Sequence, residues 1–194
     1  MILIGIGANL PHPRCGPPRA TCGAALMALA AVPGVAVAGR SRWYRSAPVP
    51  ASDQPWFVNA VARLGTALDP AALMALLVAT EEAFGRRRGA ANAARTLDLD
   101  LLAYGELVCG ETGQPPRPAL TLPHPRLHER AFVLLPLRDV APAWRHPVTG
   151  IDVKAMIAAL PPGRTAEAIA DAAGAFGSEW NAPPWPRGAD NRRS

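Results

Sequence analysis

A chain of 194 residues, 49% of them hydrophobic, has room for one domain with a buried core, while its longest apolar runs, such as LMALAAV (Leu26–Val32), are too short to cross a bilayer. Its three cysteines, Cys15, Cys22 and Cys109, form no CxxC pair and leave one over in any disulfide scheme, which argues for a reducing, cytoplasmic setting. Residues 1–149 hold 15 arginines against 10 acidic residues, whereas residues 150–194 balance at five and five; the excess of +5 therefore sits in the main body and favours phosphate-bearing ligands or nucleic acid as partners.

The start, MILIGIGANLPHPR, lacks a basic segment and a small-residue cleavage site, so no secretory leader is expected. Ile2–Ala8 is a short β-branched run ended by Asn and Pro, and reads as a strand. Arg19–Val32 has helical composition and stops before Pro33-Gly34. Val35–Tyr44 reads as a second strand with Arg40 and Arg42 on one face, and Ser46–Pro55 is a loop by its prolines. Trp56–Thr66 reads as a third strand. A helix follows over Asp69–Gly85, with Asp69 as N-cap, Pro70 in the first turn and Gly85 past the end. A last strand spans Arg95–Tyr104. The order β-α-β-β-α-β predicts an α+β, ferredoxin-like fold, with both helices on one face of an antiparallel sheet and the other face free to build a site. Pro123–Pro142 predicts a short helix or turn around Arg126–Arg130. Asn181–Ser194 is Pro-rich and polar and is expected to be disordered.

The last strand, RTLDLDLLAYG, contains two acids among leucines. Alternation sends Leu97, Leu99 and Leu101 to the core and Asp98 and Asp100 to the other side, with their Cα atoms about 6.6 Å apart. Two carboxylates so placed can hold a pair of Mg²⁺ ions, with waters and substrate phosphates completing the shells. The plainer alternative is a pair of acids salt-bridged to nearby arginines. Arginine is dense there: Arg86, Arg87 and Arg88 follow the helix and Arg95 opens the strand. A guanidinium grips phosphate oxygens with a planar fork, although cations after a helix also simply complement its dipole.

In DQPWFVNAV, Asn59 shares a strand face with Phe57 inside an apolar run. Strands deplete asparagine, and a ring beside an amide suits a flat heterocycle, stacked by one and read at its edge by the other. Phe132 can supply the opposite ring, and His124 and Arg130 add phosphate-capable groups. No Walker A loop surrounds Lys154, the single lysine, and no GxGxxG follows the first strand; GIGANL only begins like one. A nucleotide would have to be held by arginine and metal.

With these residues assembled, the sequence resembles the 6-hydroxymethyl-7,8-dihydropterin pyrophosphokinase family of folate biosynthesis. The matching stretches are IGIGANL, RSRWYRSAPV, DQPWFVNA, EEAFGRRRG, RTLDLDLLAYG and LPHPRLHERAFVLLPLRDVAP, in family order over residues 2–142. The resemblance implies transfer of pyrophosphate from the co-substrate ATP to the pterin hydroxymethyl group, releasing AMP. It implies that Asp98 and Asp100 hold two Mg²⁺ ions, that Arg86, Arg95 and Arg130 contact phosphates, that Arg88 lies on a mobile catalytic loop and that His124 holds the triphosphate. Glu81 matches an acid near the nucleotide site. Phe57 and Phe132 would sandwich the pterin, and Asn59 would read its edge beside Ser46, Ala47 and Val49. The loop Gly89–Ala94 lacks the tryptophan and Gly-Pro that family members often carry, which leaves no aromatic lid there.

We therefore expect a pyrophosphokinase domain over residues 1–160 and a partly disordered extension over 161–194 with no assigned function. The expected partners are ATP and the dihydropterin, with no nucleic acid and no membrane, on a cytoplasmic monomer. A ferredoxin-like RNA-binding module would share the basic body but has no need of paired acids, which would repel a phosphate backbone. A two-metal nuclease would share Asp98 and Asp100 and leave Phe57 and Asn59 unexplained.

Overall fold

Alternation in the first strand divides the molecule into two layers. In β1 (Ile2–Ala8), Ile2, Ile4, Ile6 and Ala8 face one side of the sheet, and Leu3, Gly5 and Gly7 face the other. The computed structural model describes residues 1–86, 93–110 and 120–170. After β1 come α1 (Pro18–Ala30), β2 (Val35–Arg40), β3 (Tyr44–Ser46), β4 (Phe57–Thr66), α2 (Pro70–Ala83) and β5 (Asp98–Tyr104). A short 3₁₀ turn (Leu127–Glu129) leads into α3 (Ala131–Val140), α4 (Val153–Ala158) and β6 (Glu167–Ala168). The sheet runs β5-β1-β4-β3-β6, with β2 pairing to β4 beyond β3, and every pairing is antiparallel. That is the ferredoxin-like order, with β2 and β3 sharing one strand position. The strand expected over Val35–Tyr44 is thus two short pieces, separated after a register shift between Val37 and Gly39.

Helices α1 and α2 lie together on the first face. Cys22, Leu26 and Leu29 of α1 and Leu73 and Leu77 of α2 pack on the β1 isoleucines and on Leu97, Leu99 and Leu101. Asp69 caps α2 as its sequence predicts, its Oδ1 accepting the Ala72 N–H at 2.8 Å. Burying each of these leucines contributes about 1.5–3 kcal/mol.

The second face is not wholly free. Val133, Leu134 and Leu137 of α3, with Trp144, Val153 and Met156, cover Leu3, Val61, Leu102 and Ala103. The short turn expected around Arg126–Arg130 is present as the 3₁₀ turn, and a full α-helix that was not expected follows it, because Pro136 inside AFVLLPLRDV reads locally as a breaker while burial of the apolar stripe holds the helix together. A bulge in the β1–β5 pairing adapts the sheet to this second layer. Leu3 pairs with Ala103 and Ile4 with Leu101, so Leu102 is the extra residue, and both Leu102 and Ala103 turn toward α3. The site occupies the part of this face that α3 and α4 leave open.

Residues 161–170, the described part of the expected extension, fold back and add β6 to the edge of β3. The disorder expected over Asn181–Ser194 lies outside the described residues. Among the described residues no helix is long and apolar enough to cross a membrane.

Candidate active site

A cavity of about 280 Å³ opens on the second face, between β5 at one side and β3 at the other. Its floor is β1, where Gly5 and Gly7 alternate with the core isoleucines. Gly7 serves space rather than backbone conformation, whereas Gly5 would accept a methyl in ordinary contact. A Cβ on Gly7 would stand 3.0 Å from Asn59 Oδ1, and one on Gly5 would meet the Leu102 side chain at 3.5 Å. Beyond the family stretch IGIGANL and the incomplete GxGxxG, the sequence signal for this floor is the alternation of Ile with Gly in a strand.

Phe57 and Asn59 rise from β4 into the cavity, and Phe132 enters it from the first turn of α3. Asn59 is buried and donates from Nδ2 to Ser46 Oγ at 3.0 Å, leaving its Oδ1 toward the floor at Gly7. Ser46, Ala47 and Val49 form the wall beyond β3. Aromatic, amide and loop, 86 residues apart at their extremes, thus line one cavity.

At the β5 end stand Asp98 and Asp100, and they differ. Asp98 is shared by two guanidinium groups: Arg86 bonds its Oδ1, and Arg95 Nη1 reaches Oδ2 at 2.9 Å. Asp100 faces Arg130 Nη1 at a looser 3.6 Å. Burial and the adjacent Asp98 charge raise the Asp100 pKa above the ordinary carboxylate range. Both acids thus meet arginines, as the salt-bridged alternative has it, but Asp98 holds two guanidinium groups closely and Asp100 a single one more loosely.

Glu81 lies behind this layer. It is 7% exposed, its Oε1 accepts the Leu99 N–H at 2.6 Å, and it pairs with Arg86. Burial pushes its pKa up to about 7 against the pull of Arg86. Glu81 and Arg86 are not among the cavity-lining residues; the chain Glu81–Arg86–Asp98 ties α2 to the site from behind. His124 also stands back from the lining, beside Asp100, with its Nδ1 accepting the Arg126 backbone N–H at 3.1 Å and its backbone N–H donating to the Leu102 carbonyl at 2.8 Å. Burial lowers its pKa, so the imidazole is neutral near pH 7. Arg95 and Arg130 line the cavity, with Arg130 at the N-terminus of α3 and its guanidinium carbon 5.5 Å from the Phe132 ring centre. Arg88 lies outside the described residues.

The structure adds residues that the sequence reading passed over. Asn9, fully buried, accepts the Arg95 N–H at 2.8 Å on Oδ1 and donates from Nδ2 to Gln54 Oε1 and the Pro55 carbonyl, locking two loops around the mouth. Arg126 and Arg164 also line the cavity.

The donor set at β5 fits a hard divalent cation. Two carboxylates share the cavity with Arg95 and Arg130, and no cluster of three or more His, Cys, Asp or Glu occurs among the described residues. An ion here would draw its remaining ligands from water and phosphate, which is the habit of Mg²⁺ rather than of zinc.

A ferredoxin-like sheet that joins an aromatic slot to paired carboxylates and arginines defines an enzyme of the phosphate-transferring class. The family model for 7,8-dihydro-6-hydroxymethylpterin-pyrophosphokinase matches residues 3–142, and the chain belongs to that family. It is 39% identical over 160 residues to the 2-amino-4-hydroxy-6-hydroxymethyldihydropteridine pyrophosphokinase of Pseudomonas aeruginosa, covering 82% of this chain and 91% of that one. The enzyme of the same name from Methylorubrum extorquens is 39% identical over 139 residues, 72% of this chain and 81% of the relative, and that from Synechocystis is 38% identical over 148, covering 76% and 70%. Among solved structures, a Plasmodium falciparum HPPK-DHPS superposes with a TM-score of 0.60 at 11% identity, covering 80% of this chain and 42% of that chain. At that identity the likeness speaks for the fold.

Proposed function

We propose that this protein transfers the terminal diphosphate of ATP to the hydroxymethyl group of 6-hydroxymethyl-7,8-dihydropterin, yielding the pterin diphosphate and AMP in folate biosynthesis. The observation that carries this reading is that one cavity holds both a heterocycle slot (Phe57, Asn59, Phe132) and a phosphate end (Asp98, Asp100, Arg95, Arg130).

In this reading the pterin lies between Phe57 and Phe132, with Asn59 and the Ser46–Val49 loop at its edge and its hydroxymethyl group toward β5. The hydroxyl oxygen attacks the β-phosphorus in line, the bond from that phosphorus to the α,β-bridging oxygen breaks, and AMP leaves with the electron pair. The hydroxyl proton passes to solvent or to a nearby carboxylate. Arg95 and Arg130, with Arg86 behind Asp98, balance the charge on the phosphate oxygens, and His124 lies on the triphosphate side. Glu81 acts by holding Arg86. Asp98 and Asp100 are the residues that would hold Mg²⁺, in our reading two ions, which supply charge neutralisation at the phosphates when bound with ATP.

The test is the product. Incubation with ATP, Mg²⁺ and 6-hydroxymethyl-7,8-dihydropterin should release AMP in step with pterin diphosphate; release of ADP, or AMP formation that ignores the pterin, overturns the assignment. We further propose that the catalytic unit extends past residue 160, since β6 completes the sheet edge beside the slot.

A further inference from the structure

Arg164 belongs to neither the family-matched residues nor the paired charges of the site. The family match ends at residue 142, yet Arg164 lines the same cavity as Phe57, Asn59 and Phe132. It also lines a second cavity of about 380 Å³ that shares the Ser46–Val49 wall, Arg130 and Phe132 with the first. Arg164 therefore belongs to the wall that the two cavities share.

The backbone holds it there. Gly163 takes a φ of +82°, the left-handed region that suits glycine, and the Arg164 N–H donates to the Pro161 carbonyl at 3.2 Å, closing a turn. Three residues on, the chain pairs with β3: Glu167 opposes Arg45 and their side chains meet at 2.7 Å, and the Ile169 N–H donates to the Trp43 carbonyl at 3.0 Å. The strap from 161 to 169 is thus anchored downstream of Arg164, not by it.

Among the arginines around the slot, Arg126 and Arg164 are the two with no carboxylate partner among the described residues, and of these Arg164 stands on the strap beside β3. Arg86 and Arg95 share Asp98, Arg130 faces Asp100, and Arg45 takes Glu167. The Arg164 guanidinium has no carboxylate within ion-pair distance among the described residues. The sheet order places it across the slot from the aspartates, at the β3–β6 side. A ligand lying between the rings with its phosphate-accepting end at Asp98 and Asp100 turns its opposite edge to Arg164.

We propose that Arg164 is a substrate-binding residue for the heterocycle, its planar N–H fork donating to the oxygen and nitrogen acceptors on the ring edge remote from the reacting hydroxyl, and so setting the direction in which the ring enters. This rests on the pterin reading above. A cation at this wall favours the ring orientation that turns acceptors toward it, because only that orientation adds charge-assisted hydrogen bonds there.

The experiment compares wild type, Arg164→Ala and Arg164→Lys in the full chain. Pterin affinity is measured by ligand fluorescence without ATP, and KM for each substrate and kcat by AMP release. Arg164→Ala should weaken pterin binding and raise pterin KM about tenfold, leave ATP KM and kcat within twofold and leave Tm unchanged; Arg164→Lys should recover part of the loss. Pterin affinity within twofold of wild type in Arg164→Ala overturns the assignment, as does a fall in Tm with both KM values rising together, which would make Arg164 a structural strap residue. Wild-type protein that neither binds the pterin nor releases AMP instead overturns the functional reading beneath it.

Discussion

Glu81 on α2 accepts the backbone N–H of Leu99 on β5 at 2.6 Å, so a buried carboxylate clamps the helix to the strand between the two site aspartates. The strand N–H that points toward α2 is unavailable to β1 at that position and needs an acceptor. Glu81 supplies it and presents the same oxygen to Arg86.

Glu81 makes stability depend on pH. Its pKa rises from 4.5 in a solvated setting to about 7 in the fold. The unfolded chain therefore releases the proton first, and the Glu81 contribution is fully present below about pH 4.5 and is lost as pH climbs through 7, a change of roughly 3 kcal/mol. Glu81→Gln, which mimics the protonated form, should flatten the wild-type decline between pH 5 and pH 8 in urea midpoints. Parallel pH profiles for the two proteins would show that Glu81 ionises normally.

Asp98 and Asp100 should separate in stability while failing together in catalysis. Asp98→Ala leaves Arg86 and Arg95 facing each other without their shared partner and should cost about 1–3 kcal/mol. Asp100→Asn removes a charge that burial and Asp98 already disfavour, and should leave Tm unchanged or raised in metal-free buffer. Both variants should lose AMP formation by about a thousandfold or more, as expected for groups that organise charge at transferring phosphates. Thermal melts and product assays on the same preparations check both halves; equal Tm shifts would remove the distinction.

Chelation should silence the enzyme without unfolding it. EDTA should abolish AMP release, added Mg²⁺ should restore it, and Tm should not fall, because no buried ligand cage among the described residues depends on an ion. Residual turnover in excess EDTA would refute the metal assignment.

The slot floor can be tested by adding one carbon. In Gly7→Ala the new Cβ stands 3.0 Å from Asn59 Oδ1, so the amide must shift by a few tenths of an ångström and loosen its bond to Ser46. Pterin KM should rise roughly three- to tenfold, with ATP KM unchanged. Phe57→Ala removes one face of the sandwich and should cost pterin affinity about tenfold or more. A Gly7→Ala protein with wild-type pterin KM would show that the floor has slack.

Much of this was legible locally. Period-two alternation sent Leu97, Leu99 and Leu101 to the core and Asp98 and Asp100 to the site, and the Asp69-Pro70 start and Gly85 stop bounded α2 to within two residues. Those are properties of neighbours in the chain, which sequence states directly. Arrangement between distant segments is a different matter. Pro136 hid α3 because a helix that survives an internal proline is held by what it buries, and what it buries lies on β1, β4 and β5. The inequality of Asp98 and Asp100 arises because α2 delivers Arg86, and with it Glu81, to one carboxylate and not to the other. Arg164 reaches the slot only because β6 returns to the edge of β3. Which strand carries the acids, and which faces its residues take, follows from neighbours in the chain, because a strand's geometry repeats every two residues. Which charges meet, and which are left to meet a ligand, was decided only when folding brought segments far apart in the chain within ion-pair distance.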